Sequence, residues 1–327
     1  MIKRLLFFSL LSLLAISCIK EDSDDCQRGL RLNFSYTHNN QDKDLLSEQV
    51  RNIRVFLFDQ STGILTDVVL AGTQDIARGY IDVNLAEGIY TAIAWGGSSI
   101  DMFQDNIGGY TDVATVGTTT LDQFRRMLAY DPLSGNALAD VTPKVKDFDD
   151  LFYAAATDLS VTGWNRHPAD LAFIKNTNTL KVVVTGLEHL RSGTSPLNIF
   201  STGKNWQYRY NNAPDASVPR MLYMPQTETA TANATEVLIK QQRLNMSQLA
   251  VDPVLLYIRD VNGADLITPL NVIETIRQNP AYQTQADIDR EDLFTITMEI
   301  EPGDSVTLTV TITINDWIIV DTGTILM

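Results

Sequence analysis

The residues of this sequence that could do covalent chemistry are few, and its two cysteines stand close together near the amino terminus, at Cys18 and Cys26. Cys18 closes the run Leu13-Leu14-Ala15-Ile16-Ser17-Cys18. Ala15 and Ser17 are small enough for a peptidase pocket, so cleavage between Ser17 and Cys18 would leave a thiol and an amine on one residue, both open to acylation. Cys26 has nothing to pair with inside the chain and reads as a passive linker residue. Nucleophile and phosphate motifs are missing: there is no G-x-S-x-G elbow, no H-E-x-x-H pair and no P-loop. Ser201 to Asn205 holds a Gly-Lys pair without the spaced glycine or the following Ser/Thr. His38, His167 and His189 share no ligand spacing and read as surface or turn residues. Carboxylates gather at Lys146 to Asp150 and at Asp287 to Asp292, without the glycine-centred spacing of a calcium loop, so solvated loops are expected there. Neither a metal nor a cofactor is expected. Trp206, Tyr208 and Tyr210 alternate, which suits either stacking on sugar rings or the packed face of a strand.

The elements that position Cys18 are short. Lys3 and Arg4 precede an apolar run from Leu5 to Ile16, broken by Ser9 and Ser12. That run falls short of the roughly 20 apolar residues needed to span a bilayer but suits the h-region of a signal peptide. Its end resembles the lipobox of bacterial lipoproteins, with Ala15 where leucine is commoner; an ordinary secretory signal with a chance cysteine is the alternative. The expected organisation starts with a signal peptide over residues 1–17 and acyl chains on Cys18. An acidic tether over residues 18–28 follows. Lys20, Glu21 and Asp22, just behind the cysteine, look like the acidic export signal of Bacteroidota-type surface lipoproteins. Several acyl chains together make attachment to a membrane effectively permanent, whereas one myristoyl chain holds only weakly.

Bulk composition narrows the class. A 327-residue chain with 44% hydrophobic and 20% charged residues is globular and long enough for two domains. Its formal charge of −15 disfavours binding to nucleic acid or to anionic headgroups. With both cysteines in the leader and tether, the folded body has no disulfide.

From Leu30 onward the pattern has mostly a period of two, which predicts an all-β fold. Leu30, Leu32, Phe34 and Tyr36 share one face of a first strand. Ile53 to Leu65 reads as strand, turn at Asp59 to Gly63, and strand. Tyr80 to Trp95 reads as a hairpin turning at Ala86 to Gly88, with Ile81, Val83 and Leu85 inward on the first strand and Ile89, Thr91, Ile93 and Trp95 on the returning one. A short helix is predicted over Leu121 to Leu128. Gly163 to Pro168 interrupts the pattern and suggests a boundary between domains over residues 29–163 and 164–327. Phe173 to Val184 reads as strand, turn at Asn176 to Asn178, and strand. Asn271, with Glu274 three residues on, predicts a helix start. Three strands close the chain, broken at Pro302 to Asp304 and at Asn315-Asp316.

Several segments together resemble one family. They are Cys18 to Cys26, Ile53 to Gly63, Gly88 to Gly97, Phe173 to Gly186 and Thr311 to Gly323. These resemble the FimB-type fimbrillin-associated anchor lipoproteins of the type V pili of Bacteroidota. The resemblance implies two tandem transthyretin-like β-sandwich domains with short helices in the connections. It also implies a place at the base of a fimbrium, an outer-membrane lipid anchor, pilin subunits as partners, and no catalytic residue, nucleic acid or small-molecule substrate. Pilins of this type are thought to polymerise by strand exchange after losing an N-terminal strand. An anchor that lost its first strand would leave its lipid behind, so that strand is expected to stay. Contact with pilin is then expected through another edge or the C-terminal segment, where Trp317 and Ile319 are the candidate residues. The competing readings are a tip or accessory adhesin of the same fimbrial type, a surface glycan-binding lipoprotein that uses Trp206 and Tyr208, and a surface hydrolase.

Overall fold

The computed structural model describes residues 28–99, 110–132, 141–145, 148–190, 197–302 and 307–326. The chain first forms β1 (Gly29–Ser35), β2 (Asn52–Asp59), β3 (Leu65–Ala71), β4 (Tyr80–Asn84) and β5 (Gly88–Gly97). Four short strands follow: β6 (Tyr110–Val113), β7 (Arg125–Leu128), β8 (Asp131–Pro132) and β9 (Val141–Val145). Then come the long β10 (Leu151–Val161), β11 (Arg166–Ala172) and β12 (Ile174–Lys175). Next are β13 (Thr177–Thr185), β14 (Asn198–Gly203), β15 (Gln207–Arg209), β16 (Arg220–Tyr223), β17 (Thr227–Ala230) and β18 (Ala234–Gln242). The last strands are β19 (Leu255–Arg259), β20 (Leu270–Asn271), β21 (Leu293–Pro302), β22 (Thr307–Ile314) and β23 (Trp317–Leu326). Helices are short and lie in connections: α1 (Leu46–Gln49), α2 (Thr73–Arg78), α3 (Val272–Arg277) and α4 (Gln285–Asp289).

Two sheets build the first sandwich, β11-β1-β4 and β12-β10-β5-β2-β3. Leu30, Leu32 and Phe34 of β1 pack with Ile53, Val55 and Leu57 of β2, Ala92 and Ala94 of β5, and Phe152 of β10. Intervening residues at the centre of the five-stranded sheet, in β2, β5 and the first half of β10, are buried as well. Phe56, Phe58, Ile93, Trp95, Leu151 and Tyr153 point away from β1 into a second, larger core. Strands dry on both faces read as near-continuous apolar runs, and "VFLF" in β2 and "AIAW" in β5 are such runs. The second core continues into the sheets β17-β18-β13-β21-β22-β23 and β20-β19-β14-β16-β9-β8, through Val182, Ile296, Ile199 and Leu256. The small sheet β15-β7-β6 contributes Tyr110, Leu128 and Tyr208 to it. The fold is therefore all-β, in layered sandwiches, as the alternation predicts.

Three local expectations change. The strands expected at Tyr80 to Trp95 exist, yet they do not pair with each other: β4 pairs with β1, and β5 pairs with β2 and β10. Residues 85–87 carry the chain from one layer of the sandwich to the other. Leu121 to Leu128 is a 3-10 turn at Leu121–Gln123 followed by β7. Phe124, Arg126 and Leu128 are all buried at a spacing of two, and the charge of Arg126, held by Asp112, hides that alternation from an apolar pattern. The turn expected at Asn176 to Asn178 is a buried crossing between sheets, since β12 pairs with β10 whereas β13 pairs with β18 and β21. The helix capped by Asn271 forms as α3, its side chain accepting from the Glu274 N–H at 3.3 Å. Gly163 to Pro168 covers the β10–β11 loop and the start of β11, and β11 returns to the first sheet beside β1.

Around that crossing lies a buried polar seam. Asn176 and Asn212 exchange amide hydrogen bonds, and the Asn178 side chain accepts from the Leu244 N–H at 2.9 Å and donates to the Glu291 carbonyl at 2.8 Å. Arg243 donates twice to Asp289, each at 2.6 Å, with both side chains buried. Asp150, at the mouth of β10, meets Lys240 at 2.7 Å and Lys175 at 3.2 Å, and Lys175 also meets Asp292 at 3.2 Å. The loop after β1 joins the seam, with His38 against the Ala286 carbonyl at 3.0 Å and Asp42 paired to Arg290.

Breaking a buried ion pair strands the surviving charge, so Asp289→Ala should cost about 3–5 kcal/mol in urea unfolding. The apolar pair Arg243→Met with Asp289→Leu should recover most of that loss. Burial disfavours the charge on Asp150, but Lys175 and Lys240 outweigh it and hold its pKa below the ordinary carboxylate value. A depressed folded pKa means that this group's stabilisation is complete above the unfolded value near ~4 and is lost as pH falls through the lower folded value. Asp150→Asn should therefore lower stability at neutral pH and flatten the acid limb of a stability–pH profile.

Candidate functional site

Ser17, Cys18, Lys20, Glu21, Asp22 and Cys26 lie outside the described residues. What the structure defines is where the chain from them joins the body. Arg28 donates to the Leu85 carbonyl at 3.2 Å and pairs with Glu87 at 3.5 Å. Gly29 follows at φ 154°, and a Cβ there would sit 1.8 Å from the Val83 carbonyl oxygen, so β1 and β4 meet closely because this residue has no side chain. β1 then runs between two partners. It is parallel to β11 from Gly29↔Arg166 to Ser35↔Ala172, and antiparallel to β4 from Gly29↔Asn84 to Asn33↔Tyr80. On the outer face Arg31 grips Asp82 through two hydrogen bonds of 2.8 and 3.0 Å. Inward, Leu30, Leu32, Phe34 and Tyr36 are buried. Tyr36 packs edge-on against Phe152, with ring centroids 5.2 Å apart.

The carboxyl end has the opposite character. β23 is the outermost strand of its sheet, paired to β22 on one side, and among the described residues no strand pairs with its other side. It follows β22 through a two-residue turn at Asn315 and Asp316, both at positive φ (44° and 65°), a conformation suited to a tight hairpin. Asn315 fixes the turn: its side chain accepts from the Thr295 N–H and donates to the Tyr282 hydroxyl, each at 2.7 Å. Ile314 before the turn is buried, whereas Trp317 and Ile318 after it are 48% and 62% exposed. Trp317 pairs with Ile314, and the Ile319 backbone pairs with Ile312. The turn expected at Pro302 to Asp304 lies outside the described residues.

The remaining sequence candidates fall elsewhere. Trp206 and Tyr208 are buried in the larger core and present no ring to a sugar; burial pushes the Tyr208 hydroxyl well above the usual tyrosine pKa. His38, His167 and His189 are half-buried and stand apart, and no group of His, Cys, Asp and Glu among the described residues could hold a metal ion. The acidic runs, expected as solvated loops, instead supply Asp150, Asp289 and Asp292 to the seam, because Lys175, Lys240 and Arg243 pair with them there. Among the described residues no helix is long and apolar enough to cross a membrane. The sequence marks Gly163 to Pro168 merely as an interruption, yet Trp164 within it is 71% exposed and lies over Arg28. An aromatic residue in an otherwise polar turn was the available signal.

A first strand paired on both sides, a last strand with one free side among the described residues, and packed sheets between them define a layered β-sandwich protein. Solved structures share its fold. The fimbrial anchor protein Mfa2 from Porphyromonas gingivalis matches with a TM-score of 0.69 at 18% identity, covering 91% of this chain and 100% of that one. A candidate polysaccharide-binding protein from Bacteroides thetaiotaomicron matches at 0.68 and 16% identity, covering 90% and 97%. A candidate adhesin from Bacteroides ovatus matches at 0.68 and 18% identity, covering 92% and 96%. Comparison with curated proteins returns no match. The profile of the fimbrillin-A associated anchor proteins Mfa1 and Mfa2 matches residues 23–323, and the chain belongs to that family. It is a family of fimbrial structural proteins rather than of enzymes.

Gly29 offers a direct check on how firmly β1 is held. A side chain at position 29 must displace the Val83 carbonyl as well as adopt an unfavourable φ, and such strain costs of order 1–3 kcal/mol. Gly29→Ala should lower the melting temperature and speed hydrogen exchange of amides in β1 and β4, while those in β13 and β21 stay protected.

Proposed function

We propose that this protein is an outer-membrane lipoprotein, acylated on Cys18, that holds a fimbrium at its base and limits its length. The observation that carries the reading is the placement of β1. The strand that follows the tether is the middle strand of its sheet, hydrogen-bonded on both sides and seated in the core. Cutting it away would open the sandwich and release the body from its lipid, so a retained β1 suits a subunit that stays on the membrane. Strand addition draws affinity from main-chain hydrogen bonds and specificity from alternate side chains. The free side of β23 supplies such an edge, with Trp317 and Ile319 as its contact residues. Joined to pilin at that edge and closed at β1, the subunit ends the polymer. Family membership supports a structural role, and no enzymatic activity is proposed.

The test joins two readouts. Intact-mass analysis of the surface protein should find a mature chain beginning at an acylated Cys18, and Cys18→Ala should abolish membrane retention. Deleting the protein should give long filaments that shed easily into the medium. A mature amino terminus inside the sandwich, with the protein at the distal end of the fibre, would instead make it a tip or accessory subunit. Unchanged filaments on deletion would remove the anchor reading altogether.

A further inference from the structure

The end of the first sandwich at which Arg28 enters the body carries an exposed tryptophan and an exposed isoleucine, and we propose that it rests on the lipid bilayer as a second, non-covalent membrane contact. The inference depends on acylation of Cys18 as proposed above.

Three connections converge where the chain reaches Gly29. The β4–β5 connection is bound there through Leu85 and Glu87, both held by Arg28. The β10–β11 loop is bound there through Asn165, whose carbonyl accepts from the Gly29 N–H at 3.3 Å. The Gly163 N–H also donates to Glu87 at 3.2 Å, which ties the two loops together. The third is the turn after β2, where the Gln60 N–H donates to the Ile89 carbonyl at 2.9 Å. Trp164, 71% exposed, and Ile89, 50% exposed, project from this end. The Arg28 guanidinium lies 5.3 Å from the centre of the Trp164 ring, within the range of a cation–π contact.

A tryptophan next to an arginine on an otherwise polar turn is the pairing found where proteins meet the headgroup region: the ring settles at the interface while the cation stays with the phosphates. Tether length selects the bilayer as the occupant. Residues 18–27 span at most about 36 Å when fully extended. Arg28 is pinned to this end of the sandwich, so Trp164 and Ile89 belong to the surface held closest to the lipid. The chain's acidity is only partly offset at this end, where Asp59 in the turn after β2 accepts from Ser61 and Thr62 rather than from a cation. Glu87 is paired with Arg28, and Asp82 with Arg31 and Arg166. Contact at this end is therefore with zwitterionic rather than anionic headgroups, in keeping with the overall charge.

The experiment uses the full acylated protein, extracted from membranes and reconstituted into phosphatidylcholine vesicles with or without nitroxide-labelled phosphatidylcholine. The labelled lipid should quench part of the wild-type tryptophan emission. Trp164→Phe, a change at an exposed loop tip, should lose that quenched component while floating with the vesicles as wild type does. A second measurement is independent of the variant's behaviour: iodide in the buffer should quench wild-type emission less on vesicles than in detergent. Equal quenching by labelled lipid in wild type and Trp164→Phe, both acylated and both vesicle-bound, overturns the proposal and leaves the lipid anchor intact. Iodide protection that appears in detergent as protein concentration rises assigns the surface to a second copy and also overturns it. A wild-type chain without acyl mass that fails to float overturns the anchor and this inference together.

Discussion

Main-chain pairing of β1 on both sides is the constraint on which the rest of the molecule depends. Among the described residues its sheet has three strands, and β11 and β4 meet there through β1. The same strand contributes Leu30, Leu32 and Phe34 to the first core, each side chain worth about 1.5–3 kcal/mol when fully buried. With the chain acylated at Cys18 as proposed above, these bonds would take on a mechanical meaning. A pull applied at Gly29 acts along the strand, so the registers with β11 and β4 are loaded together in shear rather than opened one at a time. Arg28 and the Arg31–Asp82 pair add side-chain grips at the end where such a load enters.

From β1 the load passes to the remainder of the body without a soft connection. The centre of the five-stranded sheet, in β2, β5 and the first half of β10, is buried on both faces, sharing one with β1 and the other with the larger core. That core runs without a break into the sheet that ends at β23. The polar seam crosses the same region, and its groups are satisfied mostly by one another. Asn176 with Asn212, Arg243 with Asp289, and Lys175 between Asp150 and Asp292 leave little room for one sandwich to turn against the other. Buried polar contacts of this kind specify one geometry more than they add stability.

How much of this was legible in the sequence depends on whether a feature is local. Strand positions were readable because alternation needs no partner: Leu30 to Tyr36 and Phe294 to Ile300 gave their faces directly. Pairing was not readable, because Ala86 to Gly88 can close a hairpin or step between layers, and the choice lies with β1, some fifty residues upstream. Asn176 looked like a turn because asparagine favours turns; its burial depends on Asn212, which only the fold brings near. β7 hid behind Arg126, whose charge is acceptable in the core because Asp112 stands beside it. At the carboxyl end the break at Asn315-Asp316 correctly marked the last strand. Trp164 carried no periodic signal at all, since its meaning comes from the meeting of Arg28 with a loop more than a hundred residues away.

Both chain ends bear on the same problem, the exposed strand edge. A free edge ending in a run such as Trp317-Ile318 invites pairing with any extended chain, and proteins ordinarily blunt such edges with charge, proline or a covering element. At β23 Asp316 and the tight Asn315 turn guard one end of the strand, while Trp317 and Ile318 stay open to solvent. That exposure is tolerable if a specific neighbour covers the edge once assembled, as it is for a subunit built to receive one. The first sheet shows the contrary solution: its middle position is filled by the chain's own β1, so no vacancy exists there for a foreign strand. Under the anchoring role proposed above, an occupied position at the amino-terminal strand and an available edge at the carboxyl-terminal one would give the molecule a direction, and a polymer joined to it would have nowhere further to grow through it.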